Sequence, residues 1–240
     1  MCTVSFVPTS RGFYLAMNRD EKRERFAALL PEIVEFESHR SIFPREPTGG
    51  TWISVNDGGV CLALINWHRI RRKPKNDILS RGLIVRQLAG EISADQIATS
   101  VKRLPLRKLR PFRLIVIAPD QKCITELRWN VQRLTRCDHG WQRQHWFSSG
   151  LDEPRAEVER ARTCASANTK ASGPTLKQLR KLHCSHAPTR GPFSICMHRA
   201  DAATVSYTEV SVTEKSVSMR YADGPPCISR CAVTKKLRIA

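Results

Sequence analysis

Cys2, between Met1 and Thr3 in the opening MCTVSFVP, is the residue whose type and place could do covalent chemistry, and an Asn18-Arg19-Asp20-Glu21 run follows it in GFYLAMNRDE. Loss of Met1, which a small second residue generally permits, would give Cys2 a free α-amino group beside its thiol. That amine has an ordinary pKa of about 7.7 to 8.0 and the thiol one of about 8.5, so near neutral pH one residue supplies both base and nucleophile. This is the logic of N-terminal threonine nucleophiles, and it needs no Ser-His-Asp constellation. Three kinds of help are still required: a group to hold the amine, a positive charge to favour thiolate, and donors for an oxyanion. Asp20 can accept from the amine. Asn18 and Arg19 can donate near the sulfur, although neighbouring strand residues face opposite ways and at most one of the two shares the side of Cys2. Asn66, in LINWH, is a neutral amide of the kind that stabilises oxyanions. Taken singly, each residue has an ordinary role: Asn and Asp at strand ends make turns, and arginine lies on the surface. Only the combination carries the chemistry.

Strands are needed to aim these groups. CTVSFV, the turn cluster PTSRG and FYLAMN predict a hairpin over residues 2–18, and TWISVN and VCLALIN flanking DGG predict a second. The pleat of a strand fixes the direction of a side chain at Cys2, which a frayed terminus would not. Between the hairpins, RDEKRERFAALLPEIVEFESHRSIFPREPTGG is crowded with charges and prolines and reads mostly as loop. Helices are predicted over SRGLIVRQLAGE and over SADQIATSVKRL, the latter with Ser93 as N-cap and Ile97, Val101 and Leu104 on one stripe. FRLIVIA, CITELRWN and VQRLTRC read as strands. A helix is expected from Glu153 and another over TLKQLRKLHCSH, followed by FSICMHR, ATVSYTEVSV and SVSMRYA as a strand meander. The alternation of strand and helix groups predicts an α+β layered architecture, two antiparallel sheets face to face with helices outside. One domain over residues 1–222 and a loosely attached basic tail over 223–240 are expected.

Composition bounds the function classes. A chain of 240 residues with 41% hydrophobic content can bury a core. No apolar run reaches the roughly 18 residues of a membrane span. The start lacks a basic cluster followed by an export-type apolar stretch, so a cytoplasmic location is expected. The nine cysteines form no framework and read as reduced thiols. Fragments that could hold a metal are HCSH (His183, Cys184, His186), CMH (Cys196, His198) and CISRC (Cys227, Cys231), but none has the close pairing of a zinc finger or ribbon, so neither metal nor cofactor is expected. The net charge of +18 favours phosphate or acidic surfaces. Its basic residues are spread over several segments without interleaved aromatics, so a solvated basic surface is expected rather than nucleic-acid binding.

MCTVSFVP, GFYLAMNRDE, GGTWISVNDGGVCLALIN and FSICMHRADAATVSYTEVSV together resemble the NRDE family, also called the transport and Golgi organisation protein 2 family. The resemblance is close over the first 66 residues and moderate over 190–212. That family is similar to the N-terminal cysteine nucleophile hydrolases, which implies a four-layer αββα sandwich and cleavage of amide bonds in penicillins, conjugated bile acids and N-acyl lipids. By this resemblance the nucleophile matches Cys2, the aspartate holding the α-amino group matches Asp20, the asparagine beside it matches Asn18, and the oxyanion asparagine matches Asn66, followed by Trp67. Those amidases usually carry an arginine three residues before the aspartate, where this chain has Met17, and Arg19 is expected to be unable to replace it without changing strand face. Their later asparagine and arginine correspond loosely to Asn168 and Arg190, and Trp67 and Arg190 are the expected substrate contacts.

The expected function is therefore a cysteine amidohydrolase acting on a C–N bond of a small acyl-amide through an acyl-Cys2 intermediate. The alternative is a non-catalytic haem or lipid carrier on the same fold, which the family resemblance implies, with Cys2, His68 or Met17 as thinkable axial ligands. Oligomeric state is left open.

Overall fold

The structure is a computed structural model that describes residues 2–75, 78–167, 175–229 and 231–240. The chain opens with the hairpin of β1 (Cys2–Thr9) and β2 (Gly12–Lys22). Their alternation sends Cys2, Val4, Phe6, Phe13, Leu15 and Met17 to one face, where they meet the second sheet. The hairpin closes at Gly12, whose φ of +145 suits glycine and where a Cβ would lie 2.1 Å from the Val212 carbonyl oxygen.

The second sheet begins with β3 (Leu29–Glu35), β4 (Arg40–Arg45), β5 (Ile53–Asn56) and β6 (Cys61–Asn66). The β5–β6 turn is the predicted DGG, with Gly59 at φ +77. Next come α1 (Gly82–Leu88) and α2 (Ala94–Arg103), where Ser93 caps α2 by accepting from the Gln96 amide at 3.2 Å. β7 (Phe112–Ala118), β8 (Cys123–Trp129) and β9 (Leu134–His139) complete the sheet in the order β3-β4-β5-β6-β7-β8-β9.

The chain then returns to the first sheet with β10 (Gln144–Ser148), α3 (Glu153–Ala167), α4 (Leu176–His183), β11 (Ala202–Thr213), β12 (Ser216–Asp223) and β13 (Val233–Arg238), giving the order β10-β1-β2-β11-β12-β13. All ladders between these strands are antiparallel. The inner faces share the main core, α1 and α2 pack on the outside of the second sheet through Ile84, Val85, Leu88, Ile97 and Val101, and α3 and α4 cover the first through Cys164, Leu179 and Leu182. The result is the αββα layering.

Four expectations are corrected. The charged segment after β2 is not mostly loop: it forms β3 and β4, because β3 is an edge strand, where Pro31 removes no needed donor and outward charges remain in water. FSICMHR is no strand; it is a run of turns with one isolated bridge, His198 to Ala203. β10 was not anticipated. Residues 233–238, placed in the expected loose tail, instead pair with β12, and Leu237 is buried in the main core.

Candidate active site

Cys2 is buried at the start of β1, paired with Ser148 of β10 on one side and Arg19 of β2 on the other. Flanked on both edges, it is a rigid mount for a nucleophile. It also lines the wall of a cleft of about 560 Å³ that opens between the two sheets, together with Arg19, Asp20, Trp52, Asn66 and His68. The structure thus brings together four of the five catalytic candidates singled out by sequence, with His68 beside them. Burial raises the Cys2 thiol pKa and the Asp20 charge adds to it, against the Asp20 backbone N–H and the Arg19 charge, which favour thiolate. The resting side chain is therefore the protonated thiol, and attack needs a base to take its proton.

Strand period decides which member of the Asn18-Arg19-Asp20 run does what. Arg19 lies two residues after Met17, so both share the inner face with Cys2, and the expectation that Arg19 changes face is corrected by the two-residue repeat of the pleat. Met17 itself is fully buried in the core, which removes it as a haem ligand in the cleft. Arg19 is fixed by a 2.6 Å ion pair with Glu46 and by stacking 4.2 Å over the Trp52 ring. It is a positive charge of set position beside the sulfur.

Asn18 faces the other way, beneath α4. Its amide nitrogen donates to the carbonyls of His183 and Ile195, both at 2.9 Å, and its oxygen meets His183 Nδ1 at 3.0 Å. All of its polar capacity is spent inside the protein, so it does not serve the cleft as a donor to substrate. His183 Nε2 lies 2.9 Å from Ser5 Oγ, which in turn meets His145 Nδ1 at 2.9 Å. With Asn18 Oδ1 as acceptor, the consistent chain runs His145 N–H to Ser5, Ser5 O–H to His183 Nε2, and His183 Nδ1–H to Asn18. That chain needs His183 neutral, in line with burial, which lowers its pKa to about 3; burial likewise lowers the His145 pKa to about 4.

Asp20 joins the two sides. Its Oδ2 accepts from Arg160 Nη2 at 3.2 Å and its Oδ1 from Thr204 Oγ1 at 2.7 Å. Arg160, fully buried on α3, also donates from Nη1 to Thr3 Oγ1 at 2.9 Å and to the Cys2 carbonyl at 3.4 Å. One guanidinium therefore clamps the first strand to the helix layer and orients the carboxylate behind the nucleophile. Sequence reading missed Arg160. Its signal is position: it sits with Glu153, Ala156 and Cys164 on the buried stripe of α3, where an arginine calls for a partner.

Asn66 ends β6, half-buried at the cleft wall. His68 faces the same space; burial lowers its pKa to about 4, with Arg81 adding to the effect, so it is neutral at physiological pH. Lys22, Arg25, Arg81 and Arg110 make the cleft margin cationic, against Glu21 and Glu46. Trp67 does not line the cleft, since alternation turns it from the side of Asn66, and its backbone N–H donates to Pro111 at 3.3 Å. Arg190 is exposed and lines an adjoining depression of about 470 Å³ beside His198 and Asp223, which shares Arg19, Lys22 and Arg25 with the cleft. Neither expected substrate contact is borne out in this cleft. Met1 and Asn168 lie outside the described residues.

Residues 1–207 match the family described as Transport and Golgi organisation 2. A mutant of the conjugated bile acid hydrolase from Clostridium perfringens is similar in structure, with a TM-score of 0.60 at 10% identity, over 99% of this chain and 92% of that one. A second variant of that enzyme gives 0.57 at 10% identity over 100% and 97%, and penicillin V acylase from Agrobacterium tumefaciens 0.52 at 10% identity over 99% and 91%. No curated protein matches by sequence. The likeness to the solved structures establishes the fold.

Proposed function

The chain belongs to the Transport and Golgi organisation 2 family, and from that premise we propose that it is a cysteine amidohydrolase whose nucleophile is Cys2, freed by removal of Met1. The single observation that carries this reading is the convergence of Cys2, Arg19, Asp20 and Asn66 on one cleft between the sheets. On loss of Met1 the α-amine of Cys2 takes the thiol proton, the sulfur attacks the amide carbon, and the side-chain amide of Asn66 donates to the developing oxyanion. The ammonium returns its proton to the departing nitrogen, and water then releases the acyl group from sulfur. Asp20, held by Arg160 and Thr204, keeps the amine in place, and Arg19 favours thiolate. Asn18 has no part in these steps. The cationic margin favours an acyl-amide that carries a carboxylate.

The test joins intact mass, brief treatment with a thiol reagent and peptide mapping, with hydrolysis assayed on a conjugated bile acid and on penicillin V as first substrates. Chain lacking Met1 and alkylated first at Cys2 is expected. Retained Met1, or a Cys2 no faster than buried Cys61, would sink the proposal.

The second reading, a haem carrier, draws on the presence of both Cys2 and His68 in the cleft. A Soret titration of wild type against Cys2→Ala separates the two, since catalysis predicts no defined haem stoichiometry. Among the described residues no helix is long and apolar enough to cross a membrane.

A further inference from the structure

HCSH, CMH and CISRC each lack the spacing of a metal site, yet the fold pools them. His186 follows α4, Cys196 and His198 lie in the loop that leads into β11, and Cys227 lies in the turn after β12. Backbone bonds hold these segments in register: the Cys196 amide donates to the Ser185 carbonyl at 3.0 Å and the His198 amide to Gly191 at 3.1 Å, while the Cys184 thiol donates to the Pro226 carbonyl at 3.3 Å. The four ligand atoms all lie within 4.8 Å of one another, Cys196 buried and the others half-buried.

The distances have a specific form. His198 Nε2 is 3.2 Å from His186 Nε2, 3.6 Å from Cys196 Sγ and 3.5 Å from Cys227 Sγ. A ring nitrogen offers either one proton or one lone pair, so a single Nε2 cannot satisfy three such neighbours by hydrogen bonding. A cation at their centre engages all of them at once. With zinc–nitrogen bonds of about 2.0 Å and zinc–sulfur bonds of about 2.3 Å, a tetrahedron places nitrogen about 3.3 Å from nitrogen and about 3.5 Å from sulfur. The three separations from His198 fall on those values. Two thiolates and two imidazoles, with no carboxylate in the set, match zinc rather than a hard cation.

We propose that His186, Cys196, His198 and Cys227 bind one zinc ion as a closed structural site. Four protein ligands leave no position for water, so the ion does not act on substrate. Binding displaces the two thiol protons to solvent and changes no oxidation state. The pinned loop is the one that presents the Ile195 carbonyl to Asn18 and the Pro192 carbonyl to Arg160, and whose Met197 amide donates to Thr204 Oγ1, so the ion stiffens the layer behind Cys2.

The test measures metal in full-length protein purified under reducing conditions from zinc-supplemented cells, with elemental analysis as the readout. About one zinc per chain is expected in wild type and in Cys231→Ser, and its loss in the Cys196→Ser/Cys227→Ser double variant. Because that variant can fail to fold, metal-free wild type is also titrated with cobalt, which should give thiolate-to-cobalt charge-transfer and tetrahedral d–d bands saturating at one equivalent. Wild type that carries no zinc and gives no cobalt bands would overturn the proposal. So would mapping that finds Cys196 and Cys227 joined as a disulfide in the reduced preparation, or a double variant that keeps its zinc.

Discussion

The two faces of β2 differ in kind. Toward the cleft it presents Arg19, held by Glu46 and Trp52 beside a cysteine and open to a ligand. Toward the helices it presents Asn18, whose partners are His183 and the Ile195 carbonyl, while Asp20 is braced from that side by Arg160 and Thr204 and also lines the cleft. Consecutive residues of one short motif thus divide between chemistry and support. Similar residue types at similar burial mean different things on opposite sides of a pleat.

That contrast can be broken by substitution. The largest expected effect is that of Cys2→Ala, which should lower amide hydrolysis by about 10⁴-fold or more, about 5.5 kcal/mol of barrier, with stability to denaturant changed by only about 1 kcal/mol. A variant that retained activity would remove the cleft face from the mechanism. Next is Arg160→Met, which leaves Asp20 charged and buried against a thioether. Urea unfolding should show a loss of about 3–5 kcal/mol, partly recovered when Asp20→Asn is added. A loss below about 1 kcal/mol would mean that the clamp holds nothing.

Asn18→Leu strands two carbonyls and the His183 Nδ1–H, and about 2 kcal/mol of stability should go with it. The ratio of kcat to KM per folded molecule should barely move. The smallest effect at neutral pH is that of the two imidazoles behind the sheet. Their folded pKa values, lowered by burial to about 3 for His183 and about 4 for His145, lie below the unfolded value of about 6.5. The unfolded chain therefore binds protons first on acidification. Stability from this source is whole above about pH 6.5, declines as pH falls, and is gone by about pH 3. Thermal melts across this range should show the decline, and His183→Asn should flatten it.

Much of the scaffold was legible because it rests on local signals. Ser93 before a helical stripe and DGG between alternating runs announce a cap and a hairpin without outside help. β3 was illegible because an edge strand tolerates the proline and charges that mark loops elsewhere. Cys2, Arg19, Asp20 and Asn66 could be gathered from sequence because they lie on the two hairpins whose strand and turn signals, and whose family motifs, are the plainest in the chain. Asn18 was misassigned because adjacency along the chain is not adjacency on a face. Arg160 escaped, and the histidines and cysteines were named but set aside as unpaired fragments, for a different reason: their partners lie away in sequence, and only the packing of α3, α4 and the loop before β11 brings them together.

The seat of Cys2 between Ser148 and Arg19 has one more consequence. The first residues of a protein are usually the quickest to trade amide protons with solvent, because nothing hems them in. Here both neighbours are laddered strands, so deuterium uptake at Thr3 and Val4 should lag far behind that of the exposed turns.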